Sequence, residues 1–354
     1  MNFLKKFVNY YTLRTITTSN NASNRSIILE NLKSRSLLRV HGNDVVPYLQ
    51  GLITNDINHL TKGSNGMYAM FLNKNGRVLY DTIIYKTANK YTYLIECDKL
   101  IVNELKNHLN LFKVRRKIDI DSISGEYNVW VAFNRLNAGV ADLENRGLDV
   151  KNLIVPKDEK NTASFEGDEI LLCQDPRVKR LGARIIVPRS YNSPDFCKVF
   201  RNYKLNVAQN NEYKELRYSL GIGEGITDLP PSKCFPLEAN CDYLHGVSFQ
   251  KGCYIGQEFT ARTHHTGVIR KRLMPLQITG EGKVEDNAQV HTPNGQIIGK
   301  LRSLENKSGI ALLRVEPALD SVSLFVGSFS SKTAKPYWWP VQANTLAIKE
   351  KLQK

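Results

Sequence analysis

Apolar positions along this chain change period several times, and each change marks a predicted element. Ser36 to Val40 reads as a short strand. Asn43 or Asp44 then stands as N-cap of a helix whose apolar residues, Val45, Val46, Leu49, Leu52 and Ile53, recur at helical spacing. Met67 to Leu72 and Arg77 to Tyr85 are rich in aromatic and β-branched residues, and Asn73-Lys-Asn-Gly76 between them predicts a hairpin turn. Tyr91 to Glu96 supplies a third strand, Lys99 to about Leu111 a helix, and Lys113 to Ile120 a basic strand. Hairpins mixed with crossover helices indicate an α+β fold.

Asn134 to Gly167 is polar and weakly patterned, which predicts surface loops between strand pieces with little chemistry. Glu169 to Cys173 and Ala183 to Val187 read as paired strands around Asp175-Pro176, and Pro194 to Tyr203 and Glu212 to Gly221 as helices. From Leu273 the pattern shifts to short strands with frequent turns, including Pro293-Asn-Gly295, the spacing of a small β-barrel or sandwich. Pro340 closes that unit, with Tyr337-Trp338-Trp339 as cover for one end or as a ligand platform. No internal repeat is visible. A chain of 354 residues exceeds the usual size of one core. The divisions expected are 1–35 as a cleaved leader, 36–130 and 131–270 as two α+β units, and 271–345 as the β-rich unit.

The leader is read from composition. Its first 35 residues hold six basic residues against Glu30 alone, with a Ser/Thr/Asn-rich stretch from Thr15 to Ser26. Phe3, Leu4, Phe7, Val8 and Tyr11 give one apolar face to a short helix, so the segment predicts a mitochondrial matrix address, a disordered tail being the alternative. No apolar run approaches the roughly 20 residues that span a bilayer. The six cysteines have no paired spacing and read as reduced thiols. Of the formal net charge of +15, the body keeps +10, either as a diffuse positive surface or to meet an acidic ligand or partner. An RNA-binding reading rests on Arg115-Arg116-Lys117 and Arg270-Lys271-Arg272. These clusters lack the interleaved aromatics that single-strand binding uses, so nucleic acid is the weaker partner.

The chemistry concentrates in residues 251 to 258, Lys-Gly-Cys-Tyr-Ile-Gly-Gln-Glu. Gly252 and Gly256 bracket Cys253, permit backbone geometries closed to other residues and keep the walls around the thiol small. Lys251 and the basic residues Arg262, Arg270, Lys271 and Arg272 would favour the thiolate, the form suited to iron or sulfur chemistry. The other reading of Cys253 is a small buried hydrophobe. His264 and His265 follow; on a strand they would point to opposite faces, one toward the site and one to the surface. Cys234, Cys241 and Cys253 lack the spacing of a zinc site, and Gly221-Ile-Gly-Glu-Gly225 fails the dinucleotide fingerprint. One cysteine cannot close a cluster's four thiolate positions, so any cluster would be transient and shared with a partner.

The octapeptide and the run Phe259 to Arg272 resemble the YgfZ branch of the aminomethyltransferase T-protein superfamily, and within it the mitochondrial members serving iron-sulfur cluster assembly. The superfamily's folate enzymes carry a similar Lys-Gly-x-x-Ile-Gly-x-Glu pattern but generally lack the cysteine. The resemblance implies an aminomethyltransferase-like three-domain ring, two α+β units and a C-terminal β-barrel around a central folate-sized cavity. It implies a late role in iron-sulfur assembly, with A-type carrier proteins as partners in maturing four-iron clusters and Cys253 as the reactive residue and shared cluster ligand. Asp81 matches a carboxylate that works beside folate, its alternative being an ordinary strand-end acid. Arg217 matches the segment framing the glutamate tail, its alternative an ion pair with Glu224 or Glu215. Asn240, Lys251, Gln257 and Glu258 complete the implied cavity, with tetrahydrofolate the implied cofactor. A tetrahydrofolate-dependent one-carbon transferase is the alternative function; the fold is transferase-like, but the cysteine favours an assembly factor over a classical enzyme.

Overall fold

The computed structural model describes residues 26–134, 170–191, 196, 200, 203–209, 211–280 and 282–340. The chain opens with β1 (Ser26–Asn31) and β2 (Arg35–His41), then helices α1 (Val45–Gln50) and α2 (Asn58–Thr61). Strands β3 (Gly66–Leu72), β4 (Val78–Lys86) and β5 (Thr92–Asp98) follow, then α3 (Val102–Lys113), β6 (Asp119–Ser122) and β7 (Tyr127–Phe133). Next come β8 (Leu171–Gln174), β9 (Ala183–Pro188) and β10 (Lys204–Val207), with helices α4 (Glu212–Ser219), α5 (Gly225–Asp228) and α6 (Gln257–Thr266).

Two five-stranded sheets form, in the orders β3-β4-β5-β2-β6 and β10-β1-β7-β9-β8. The near-continuous apolar strands follow from burial on both faces. In β2, Leu37 faces a core shared with Ile28, Val131 and Ile186 of the second sheet. Leu38 and Val40 face away, onto Leu49, Leu105 and Leu109 of the covering helices. Outside the second sheet Ile27, Leu29, Trp130 and Ile185 pack with Phe196 and Phe200.

The C-terminal unit comprises β11 (Lys271–Thr279), β12 (Gln289–His291), β13 (Ile297–Glu305), β14 (Ser308–Arg314), α7 (Val315–Asp320), β15 (Leu324–Val326) and β16 (Phe329–Lys332). Its strands close into a six-stranded barrel, β11-β14-β13-β12-β15-β16. Trp339 plugs the barrel core, while the Trp338 indole donates to Leu220 O at 2.8 Å and ties the barrel to α4. These aromatics therefore act as cover.

The expected hairpin forms as read. Asn73 Oδ1 accepts from the amides of Asn75 and Arg77, both at 3.0 Å, and Gly76 sits at φ +74. Several boundaries need correction. The fold starts before Ser36, because Ile27 and Leu29 of β1 are fully buried and β1 pairs with β7 and β10. An apolar Ile-Ile-Leu run was masked by the leader-like composition around it. Strand β7 crosses the expected division at 130/131 and belongs with the second sheet. The basic strand from Lys113 is instead an exposed turn at Arg115 to Lys117, and pairing begins only at Asp119. Helix α1 stops at Gln50, before Leu52 and Ile53, and Asp44 makes no side-chain cap bond. The leader helix of residues 3–11, the loops of residues 135–167 and most of the helix expected over Pro194 to Tyr203 lie outside the described residues.

Candidate functional site

Cys253 lies in the loop leading into α6 and is exposed, whereas the other described cysteines, Cys97, Cys173, Cys234 and Cys241, are buried. Burial pushes the thiols of Cys97, Cys173 and Cys234 up to about 12, and that of Cys241 higher still, which leaves them protonated and inert. The small buried hydrophobe reading of Cys253 is thereby excluded.

The loop is held from both sides. Lys251 Nζ donates to the carbonyls of Gln50, Ile53 and Asn55 at 2.7, 2.6 and 2.9 Å, all at the end of α1 and just beyond it. Thr54 Oγ1 donates to Gly246 O at 2.6 Å, Asn55 Nδ2 to His245 O at 2.8 Å, and the Ile255 amide to Gly51 O at 3.2 Å. Gly256 has φ +76 and lies against the β3–β4 turn, where an added Cβ would come 2.3 Å from Asn73 O. Gly76 of that turn packs back against the loop, its added Cβ 2.9 Å from Gly256 O. The hairpin and the motif, far apart in sequence, are thus one docked unit that presents Cys253 outward.

This geometry reassigns Lys251. An ammonium has three donors, and all three serve backbone carbonyls, so the residue is a strut for the loop rather than a free ligand for an anion. Gln257 acts similarly, its Oε1 accepting from the Tyr254 amide at 3.2 Å. Glu258 is exposed in the first turn of α6. His264 and His265 are on this helix and not on a strand; His264 stacks on Phe249 with ring centroids 3.5 Å apart.

The remaining predicted residues lie elsewhere, in or beside a buried ionic cluster between the sheets. Glu224 is its hub, 2.7 Å from Arg177 Nη2, 3.7 Å from Arg217 Nε and 4.0 Å from Arg35 Nε, with Arg184 Nη2 also donating to it. Arg177 binds Asp175 with two parallel bonds of 3.0 and 2.8 Å, and Arg35 Nε donates to Glu96 at 2.8 Å. Burial raises the Glu224 carboxyl, but the four guanidiniums, Arg184 first, outweigh it and hold the group well below the usual carboxylate range.

Arg217 Nη1 donates to Asp228 at 2.9 Å and to Ile222 O at 3.1 Å, so its ion-pair reading, with Glu224, is the one the geometry gives. Asp81 is 3% exposed; it accepts from the Gly225 amide at 3.0 Å, with Arg35 Nη1 3.7 Å from its other oxygen. Burial moves its carboxyl above the ordinary 3.8, against the pull of Arg35. Asn240, at φ +60, donates to Leu273 O at 2.9 Å and accepts from Arg272 at 3.2 Å. Around Asp81 and Arg217, where a folate-sized cavity was implied, carboxylates and guanidiniums face one another, while Asp81 Oδ2, Arg35 Nη1 and Nη2, Arg184 Nε and Nη1 and Arg217 Nε are buried without a hydrogen-bond partner among the described residues. Among the described residues no group of three or more His, Cys, Asp or Glu side chains is placed to hold a metal ion.

Comparison with known proteins decides the family. The mitochondrial iron-sulfur cluster assembly factor IBA57 of Mus musculus is 36% identical over 332 residues, covering 88% of this chain and 85% of that protein. Its Homo sapiens counterpart is 34% identical over 327 residues, covering 87% and 84%. The chain belongs to the IBA57 family. Residues 270–341 also match the C-terminal β-barrel domain model named for CAF17, in agreement with the barrel seen here. The glycine cleavage system aminomethyltransferase T of Bartonella henselae superposes with a TM-score of 0.65 at 12% identity, over 90% of this chain and 87% of that one, which establishes the shared fold.

For this IBA57-family chain, the sequence reading missed Arg35, Glu96, Asp175, Arg177 and Arg184, which build the interior with Glu224. Arg184 is fully buried within a strand that reads Ala-Arg-Ile-Ile-Val-Pro. The one signal was that an arginine interrupts an otherwise apolar strand flanked by buried partners.

Proposed function

We propose that this chain acts in the mitochondrial matrix as an iron-sulfur cluster assembly factor, with Cys253 as one ligand of a cluster shared transiently with an A-type carrier protein. Ligation is an exchange: the Cys253 thiol gives up its proton to solvent and its sulfur takes an iron position on the carried cluster. The remaining ligands stay with the carrier, because one thiol supplies one of four positions. The cluster is cargo. Its maturation to a four-iron form draws electrons from a separate low-potential donor protein.

The observation that carries this reading is the presentation of Cys253, exposed on a loop that Lys251, Thr54, Asn55 and the Asn73–Gly76 turn hold in place. The test is anaerobic visible absorption and circular dichroism of the protein mixed with cluster-loaded A-type carrier. A new cluster spectrum is expected with wild type and not with Cys253→Ser; normal spectra and normal cluster delivery by the variant would defeat the assignment.

A further inference from the structure

Beside the Cys253 loop a groove of about 580 Å³ opens between α6 and the turn that starts at Phe235. Its apolar lining includes Phe235, Leu237, Phe259, Val268 and Ile269, with Thr263 on the helix side. Val268 is 79% exposed, an unusual position for a valine that has nothing to cover it. The groove and the thiol share one support. Gly76, which contacts the loop at Gly256, also lies against Phe259, the first-turn residue of α6 that lines the groove.

The charge around the groove is one-sided. Arg77 lies over the Phe235 ring, 4.4 Å from its centroid, and Arg270 and Lys271 lie at the far edge. None of these three forms an ion pair with a carboxylate among the described residues. Arg262 adds a fourth cation, over Phe259 at 5.8 Å. Glu238 is the acid in the lining, and its Oε2 is turned to the Phe235 amide at 2.9 Å. An apolar floor bordered by Arg77, Arg270 and Lys271 is complementary to a protein segment with an apolar side chain flanked by carboxylates. A nucleic acid fits less well. The Phe235 ring is stacked on Phe259 at 4.1 Å and covered by Arg77, so it offers no free face to a base.

We propose that this groove is the docking surface for an acidic, apolar-anchored segment of the cluster carrier, seating its apolar side chain against Phe259, Val268 and Ile269 and its carboxylates against Arg77, Arg270 and Lys271. This rests on the function proposed above and adds the surface through which the carrier is recognised before Cys253 engages its cluster. Recognition and ligation are then separable. The groove sets affinity for the carrier without cluster, and Cys253 sets only the cluster spectrum.

The experiment measures binding of apo A-type carrier to the full chain at low and high salt, with Val268→Asp, Arg270→Glu, Cys253→Ser and Val322→Asp. Val322 is 92% exposed in the turn before β15 and serves as a surface control. Near-ultraviolet circular dichroism checks that each variant keeps its fold. Val268→Asp and Arg270→Glu are each expected to weaken binding by about tenfold or more, Arg270→Glu with a reduced salt dependence. Val322→Asp and Cys253→Ser are expected to bind within about twofold of wild type. Wild-type affinity in both groove variants, in a protein that does share a cluster with the carrier, would overturn the groove and leave the proposed function standing. A wild-type chain that neither binds the carrier nor shares its cluster would sink both. Salt-sensitive binding of polyuridine RNA that Arg270→Glu abolishes, with carrier binding untouched, would reassign the groove to nucleic acid and equally overturn the proposal.

Discussion

Replacing Lys251 by Met tests whether the Cys253 loop is held by a strut. The change keeps an unbranched stem of similar bulk and removes an ammonium that donates to the carbonyls of Gln50, Ile53 and Asn55 at 2.7, 2.6 and 2.9 Å. Bonds from a charged donor contribute about 1.5–3 kcal/mol each, so three are worth about 5–9 kcal/mol before offsets. Burial pushes this ammonium down to about 8 from 10.5, against the pull of Asp56. At 1.36 kcal/mol per pKa unit, desolvation therefore takes back about 3 kcal/mol. The expected net loss is about 2–6 kcal/mol, read as the shift of the urea unfolding midpoint at constant slope. Lys251→Arg should recover little of it, because a planar fork cannot aim at three carbonyls converging on one nitrogen. Limited proteolysis of the folded variant should cut between residues 249 and 256, and Cys253 should alkylate at an altered rate. A loss below about 0.5 kcal/mol with an unchanged proteolysis pattern would refute the strut, since that is the range of an ordinary surface substitution.

Three further outcomes are expected. Glu224→Gln, which strips the hub carboxylate from four guanidiniums, should cost about 3–5 kcal/mol in thermal or denaturant unfolding; a neutral effect would show the cluster to be solvated. Gly256→Ala should lose about 1–3 kcal/mol to the positive φ alone, and more from the overlap with Asn73 O, and its Cys253 should alkylate at a rate unlike wild type. For Asp81 the pH dependence carries the sign. Its folded carboxyl titrates above the unfolded 3.8, so its favourable contribution is complete below that value and declines as pH rises through the raised one. Asp81→Asn keeps the neutral form at all pH, so its stability relative to wild type should rise from pH 4 to pH 7; a flat difference would show that Asp81 titrates normally.

What the sequence carried was the local part of the fold. The Asn73–Gly76 hairpin, helices α3 and α4, and the short strands of the barrel follow from periodicity and turn chemistry, which act over a few residues. β1 did not, because its Ile-Ile-Leu core is a six-residue strand beside leader-like composition, and only pairing with β7 and β10 identifies it. His264 and His265 were read on a strand, yet they follow Gly256, whose left-handed φ starts helix α6. The motif itself was legible down to Cys253. The job of Lys251 was not, since a sequence shows the charge and not the three carbonyls that surround it.

The structure sets a buried ionic interior apart from an outward thiol. Four guanidiniums and five carboxyls meet between the sheets, and burial moves the Asp81 carboxyl above its ordinary value. A charged ligand that displaced one of these pairs would have to offset the about 3–5 kcal/mol that breaking a buried pair costs. Arg217 Nη1 already donates to Asp228 and Ile222 O, and its Nε stands 3.7 Å from Glu224. Cys253 needs no such opening. It is exposed on a loop held by bonds to backbone carbonyls, beside the groove bordered by Arg77, Arg270 and Lys271, so under the proposed function a protein carrying a cluster would reach it by surface contact alone.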